Sequence, residues 1–171
     1  MATTKYCVVR TDKPSGEAQM ADMLSLRFYG SDGKVAEVEN GVIAELQGLE
    51  TIDASSNQHE IYKAVAATSS SNMNDCAIIC SPELMYDERK KMLDEFINEA
   101  GKICRAYRPH SGDIFSVTID ALDATDVAVG NAVSVGEGVK LAVGATADNP
   151  FGTVIAIDQV GKYTYYVIQV L

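Results

Sequence analysis

Residues 106–120 read AYRPHSGDIFSVTID, and the fold turns on what that string is. It sets His110, Ser111 and Asp113 close together, the three side-chain types of a hydrolase triad. Triad members come from distant parts of a fold so that they can converge, and three residues on one short loop cannot easily meet in that geometry. No G-x-S-x-G elbow occurs, and the other histidine, His59, sits in a polar linker. Turn chemistry accounts for the string instead. Arg108 precedes Pro109 and is biased to extended backbone, while Ser111, Gly112 and Asp113 are turn residues. Beyond them Ile114, Ser116 and Thr118 alternate with Phe115, Val117 and Ile119, the pattern of a half-buried strand. The string predicts a corner where the chain enters a β-strand.

Downstream the character stays β-rich. Strands are predicted over 104–108, 113–120, 132–135, 139–143, 152–157 and 163–170, separated by runs rich in Gly, Asn, Asp or Pro. Short strands with no helix between them suggest a small antiparallel barrel or sandwich. The last strand carries Tyr163, Tyr165, Val167 and Leu171 on one face and Tyr166, Ile168 and Val170 on the other. Apolar on both sides, it is expected to be a central strand or part of an interface.

Upstream, residues 5–10 read as a short strand and 11–19 as a loop or arm. Segments 24–29, 35–39 and 42–49 are joined by Asp32-Gly33 and Asn40-Gly41, which tolerate positive φ, and predict an antiparallel meander. EIYKAVAAT reads as a strand or a short helix, and CAIIC as a buried strand. One helix is predicted within 82–100, with Ser81 as cap, Pro82 in the first turn, Leu84, Leu93, Phe96 and Ile97 as its apolar stripe, and Gly101 as its end. The fold class expected is therefore α+β, mainly β: a small antiparallel β-barrel or sandwich at the C-terminus, with an N-terminal β-meander and one helix. Its parts would be an N-terminal strand and arm over 1–22, an α+β lobe over 23–103 and a β-barrel lobe over 104–171.

At 171 residues such a chain buries enough for one domain or two small ones without disulfides or metal. Apolar residues are 47% and charged residues 22%, the balance of a folded protein. Twenty-four acids against 14 basic residues give a net charge of -10, which argues against nucleic acid and anionic membrane as partners. No secretory signal and no run of ~20 apolar residues is present, so assembly in a cytoplasm is expected, with Cys7, Cys76, Cys80 and Cys104 reduced and packed as small hydrophobes.

The remaining candidates for chemistry have plainer readings. Cys76 and Cys80 have no second ligand pair to make a zinc site. Asp120, Asp123 and Asp126 lack EF-hand spacing and its glycine. Glu83, Asp87, Glu88, Asp94, Glu95 and Glu99 form the polar face of the predicted helix. VGEGVK suits a hairpin better than a phosphate loop. No catalytic, cofactor-binding or metal-ligating residue is assigned, and no cofactor is expected.

The segments ENGVIAELQGLE, SPELMYDERKKMLDEFINEAGKICRAYRPHSGDIFSVTIDAL and GKYTYYVIQVL resemble a group of tailed-bacteriophage and prophage virion proteins, of the sort encoded beside the major capsid protein. In that group FINEAG precedes R-x-Y-R-x-HSGD-[IV]-[FI]-SVT, and the chain closes with YTYYVI; the match covers most of 39–171. The resemblance implies a non-enzymatic head decoration, or cement, protein on the capsid exterior. It would bind the major capsid protein and self-associate as a homotrimer. A tail, neck or fibre-base subunit is the alternative, and a small-ligand binding protein or enzyme a more distant one. Strand addition by residues 1–16 and burial of the last strand would make Tyr6, Val8, Arg10, Tyr163, Tyr165 and Tyr166 interface residues.

Overall fold

In a computed structural model, which describes residues 5–10, 16, 22–50, 60–83, 92–136, 138–144 and 150–171, the chain is mainly β and forms two sheets packed on each other. The first sheet uses β1 (Met23–Phe28), β2 (Ile43–Leu49), β3 (Ile61–Ala66), β4 (Cys76–Ile79) and β5 (Cys104–Tyr107). They run β1-β3-β2-β4-β5 and close into a barrel when β5 pairs antiparallel with β1. A five-stranded barrel has a narrow interior. Fully buried Ala44, Ala64, Ala77 and Ala106 leave room there for Leu24, Leu26, Phe28 and Ile79.

The second sheet uses β6 (Ile114–Thr118), β7 (Leu122–Asp123), β8 (Ala132–Val135), β9 (Leu141–Val143), β10 (Pro150–Val160) and β11 (Tyr163–Val170), in the order β6-β11-β10-β8-β9-β7. Its outermost members β6 and β7 are consecutive in the chain, joined by a 3-10 turn at Ile119–Ala121, so the sheet curls into a half-barrel. Phe115, Val117, Phe151, Val154, Tyr166 and Ile168 face its interior, with Phe115 and Phe151 edge-to-face at 5.8 Å. Ile43, Cys76 and Ile78, which leave the barrel on its outer side, pack into the same core and join the two sheets.

Residues 5–10 lie along β6. Arg10 donates its N–H to the Ser116 carbonyl at 2.8 Å, Thr118 donates to the Val8 carbonyl at 2.9 Å, and Val9 bridges Val117 antiparallel. The strand expected over 5–10 is not formed as such: the segment is extended beside β6 with a single bridge at Val9. As a result β6 is buried on both faces rather than half-buried, with Ser116 and Thr118 both sealed from solvent.

Several expectations need correction. The closed barrel belongs to the first five strands, and β5 completes it; the C-terminal strands build the curled sheet. The meander is replaced by β3 inserted between β1 and β2, parallel to β1 from Ser25 opposite Ile61. The turn at Gly33 does form, with φ +74 and Tyr29 bridging Val35. The next segment, however, makes only single bridges, its second being Val38 to Asn98. The described parts of 82–100 contain no α-helix, only a 3-10 turn at Leu93–Glu95. Ser81 is not free to cap one: its N–H goes to Asn40 and its hydroxyl accepts from the Arg105 N–H. Residues 84–91, with Leu84, lie outside the described residues, as does His59.

Candidate functional site

His110, Ser111 and Asp113 are brought together as a turn. Asp113 accepts the His110 backbone N–H at 2.8 Å and donates its own N–H to the His110 carbonyl at 3.0 Å. The His110 ring turns away to the Asp22 carboxylate, Nε2 to Oδ1 2.9 Å, while Ser111 is exposed. The bond from Asp22 and its negative charge raise the imidazole pKa above its ordinary value. This pair ties the start of β1 to the corner before β6, and the Arg108 N–H donates to the Asp22 carbonyl beside it.

The six residues expected at an interface do gather on one sheet, because residues 5–10 flank β6 and β6 flanks β11. Most of them are used inside the monomer. Val8, Tyr165 and Tyr166 are buried, Tyr166 in the main core. Arg10 places its guanidinium 5.4 Å from the Tyr165 ring centre and 3.7 Å from Asp158. Tyr6 is half-buried and gives its N–H to the Asp94 carbonyl at 3.0 Å.

Tyr163 takes part in a knot at the far end of the β10–β11 hairpin. The Asp94 carboxylate accepts the Tyr163 hydroxyl and the Lys162 ammonium, each at 2.7 Å. Burial pushes this carboxyl up, but the Lys162 and Tyr163 bonds outweigh it and hold it below the usual carboxylate value. The hairpin continues beyond its neighbours: β8 reaches along β10 only to Thr153, and β6 along β11 only to Tyr165. Apolar Val160, Met92 and Leu93 are exposed, and each lies within two residues of Lys162 or Asp94 in the chain.

Two polar clusters were not anticipated from the sequence. Buried Asn40 accepts N–H groups from Ser81 and Asn98, both at 3.0 Å, and donates to the Ser81 carbonyl at 2.9 Å. Asn98 also donates to the Val38 carbonyl. Burial beside this cluster raises the Glu83 carboxyl pKa. On the barrel, Glu50 accepts from the Arg27 guanidinium and the Tyr29 hydroxyl, and Arg27 Nε donates to the Gly101 carbonyl at 3.1 Å. The only sequence signal for the first cluster was the ENG turn, whose asparagine reads as a turn former.

The four cysteines are free thiols, three of them buried. Burial raises every thiol, Cys76 and Cys104 to about 11, Cys80 to about 12 and Cys7 further, so nucleophilic thiolate is suppressed at neutral pH. Cys76 and Cys80 pack against the same core. Among the described residues no three His, Cys, Asp or Glu side chains form a group able to hold a metal ion. Asp120 accepts the Thr118 hydroxyl at 3.2 Å. Exposed apolar residues near the Asp94–Lys162–Tyr163 knot in the chain are Val160 on the hairpin and Met92 and Leu93 beside Asp94. No known protein family, curated protein or solved structure matches the chain.

Proposed function

We propose that the chain is a structural protein of a tailed-phage virion that binds the capsid exterior as a decoration subunit, with the major capsid protein as its partner. The observation that carries the reading is the hairpin end. Val160 is exposed at the end of the β10–β11 ribbon, which continues past its pairing with β8 and β6, and Met92 and Leu93 are exposed in the separate segment whose Asp94 accepts from Lys162 and Tyr163. Exposed apolar groups held by an ordered polar knot suit a surface that is buried on docking. The resemblance of the 39–171 segments to phage virion proteins supplies the kind of partner. The charge of -10 suits a site on the outside of the shell, away from packaged DNA.

The test adds purified chain to capsids of the encoding phage that lack it, followed by co-sedimentation and electron microscopy. Saturable binding with density on the outer shell is expected, and Leu93→Asp with Val160→Asp should weaken it at least tenfold while leaving the circular dichroism spectrum unchanged. Density at the tail, neck or fibre base would replace the decoration role with one there. Absence from particles altogether would remove the virion reading.

A further inference from the structure

We infer that Asn40–Gly41 is a latent modification site: a self-reacting dipeptide that the fold keeps inert, and that deamidates once the segments carrying Ser81 and Asn98 let go of it. The inference is independent of what the chain binds.

The chemistry belongs to the dipeptide itself. The Gly41 amide nitrogen loses its proton and bonds to Asn40 Cγ, the Cγ–Nδ2 bond breaks, and ammonia leaves with that nitrogen, closing a succinimide ring. Water then adds to one of the two ring carbonyls and breaks its bond to the ring nitrogen, leaving aspartate or isoaspartate at position 40. A following glycine favours the ring, because no Cβ hinders the approach and the backbone turns freely. Asn40 is the one asparagine of the chain that precedes a glycine.

The folded chain withholds each requirement. Asn40 is 1% exposed. Its side-chain oxygen accepts from the Ser81 N–H and the Asn98 amide, both at 3.0 Å, and its amide donates to the Ser81 carbonyl at 2.9 Å. The Glu83 carboxylate bonds to the same side chain. Together these use the hydrogen-bonding capacity of a carboxamide, so the group cannot turn toward Gly41. The proton that must leave Gly41 is committed to the Ile79 carbonyl at 2.6 Å. Gly41 has φ +78 and is wedged against its neighbours: a Cβ there would fall 2.8 Å from Cys7 Sγ and 3.0 Å from Val117 Cγ1. The peptide has no room to swing its nitrogen onto Cγ.

The product cannot refill the site. Aspartate would present an acceptor where the Ser81 carbonyl takes a hydrogen, and a second carboxylate beside Glu83. Isoaspartate would route the main chain through the former side chain, adding a methylene between Asn40 and the Gly41 N–H that Ile79 holds. An opening at the entry to β2 is thereby converted into a permanent loss of the native site.

The test follows deamidation of the full chain in mildly alkaline buffer, folded and in urea, by peptide mass and by the added negative charge on ion exchange. In urea Asn40 should react ahead of every other asparagine. In the folded chain it should react at least tenfold more slowly, and no faster than the urea rate multiplied by the open fraction that hydrogen exchange gives for the Gly41 amide. Asn98→Ala removes one bond of the lock and should raise Gly41 exchange and deamidation together; if that variant does not fold, the wild-type comparison decides. The charge-shifted product, separated and diluted from urea, should not recover the thermal transition of the unmodified chain. A folded rate equal to the urea rate or above the exchange limit, another asparagine reacting first, a folded Asn98→Ala without the paired rise, or a product that refolds to the native midpoint would overturn the inference.

Discussion

His110 donates its ring to Asp22 across 2.9 Å, joining the first residue ahead of β1 to the corner ahead of β6. The contact raises the histidine pKa in the folded chain. A raised folded value means that the pair's contribution to stability is complete below the unfolded value of about 6.5. It is lost as pH rises through the higher folded value. NMR titration should therefore place His110 above its ordinary value and return it there in Asp22→Asn. The thermal midpoint of the wild type should decline through that pH window, with a flatter profile in the variant. A His110 that titrates at or below the ordinary value would refute the coupling.

Asp94 has the opposite sign. Its carboxyl is held below the ordinary value, so its contribution is complete above about 3.9 and disappears as pH falls through the folded value. Asp94→Asn should cost about 1–2 kcal/mol in urea unfolding at neutral pH, the lower end reflecting the partial exposure of Lys162. It should also reduce the acid sensitivity of unfolding. A variant as stable as wild type at pH 7 would show that the knot is ornamental.

The β-rich class was legible because strands repeat every two residues and the turn at Gly33 carries its own signature. β11 was legible as a central strand for the same reason. The topology was not, since β1 and β3 pair in parallel through residues far apart in the chain, and nothing local in SLRF or IYKA names that partner. The barrel was placed too late because its narrow interior is made by Ala44, Ala64, Ala77 and Ala106, and alanine carries little pattern in a strand. At the candidate surface, apolar alternation drew attention to residues 5–10 and β11. It could not tell burial within one chain from burial between chains, and three of those six residues, Val8, Tyr165 and Tyr166, are buried internally.

Asn40 is predicted to be among the most sensitive polar positions. Alanine there strands the Ser81 N–H and carbonyl and one Asn98 amide hydrogen in the interior. An unmatched buried polar group costs about 1–3 kcal/mol. Asn40→Ala should therefore lose about 3 kcal/mol in denaturant unfolding, whereas exposed Asn72→Ala, which removes only the cap of the 3-10 turn at Met73–Asp75, should lose about 1 kcal/mol. Equal losses would mean that water replaces the missing amide.

Glycine substitutions should separate crowding from backbone strain. A Cβ on Gly152 would fall against the Gln169 carbonyl oxygen of β11 and 3.0 Å from Ile168 Cγ2. The obstacle is mainly backbone in a paired strand, so Gly152→Ala should cost about 3 kcal/mol. Gly33 has open space but φ +74, so Gly33→Ala should cost only about 1–2 kcal/mol. Thermal unfolding of the two variants ranks them directly, and the reverse order would contradict the packing of β10 on β11.

The N-terminal segment gives the last prediction, and the structure changes its sense. If residues 1–16 served only to reach a capsid or a neighbour, deleting them would leave the fold intact. Cys7, Val8 and Val9 are instead buried, and Val8 and Arg10 bond to β6. Removing them exposes both a β6 edge and part of the main core. Val8→Ala alone should lower stability by about 2 kcal/mol. Deletion of residues 1–10 should destabilise more than that single substitution, by loss of the burial of all three side chains. A synthetic peptide of residues 1–10 should restore the lost stability in a concentration-dependent way. An unchanged urea midpoint after deletion would show that the segment does not hold β6 in solution and would return it to the role of a free arm.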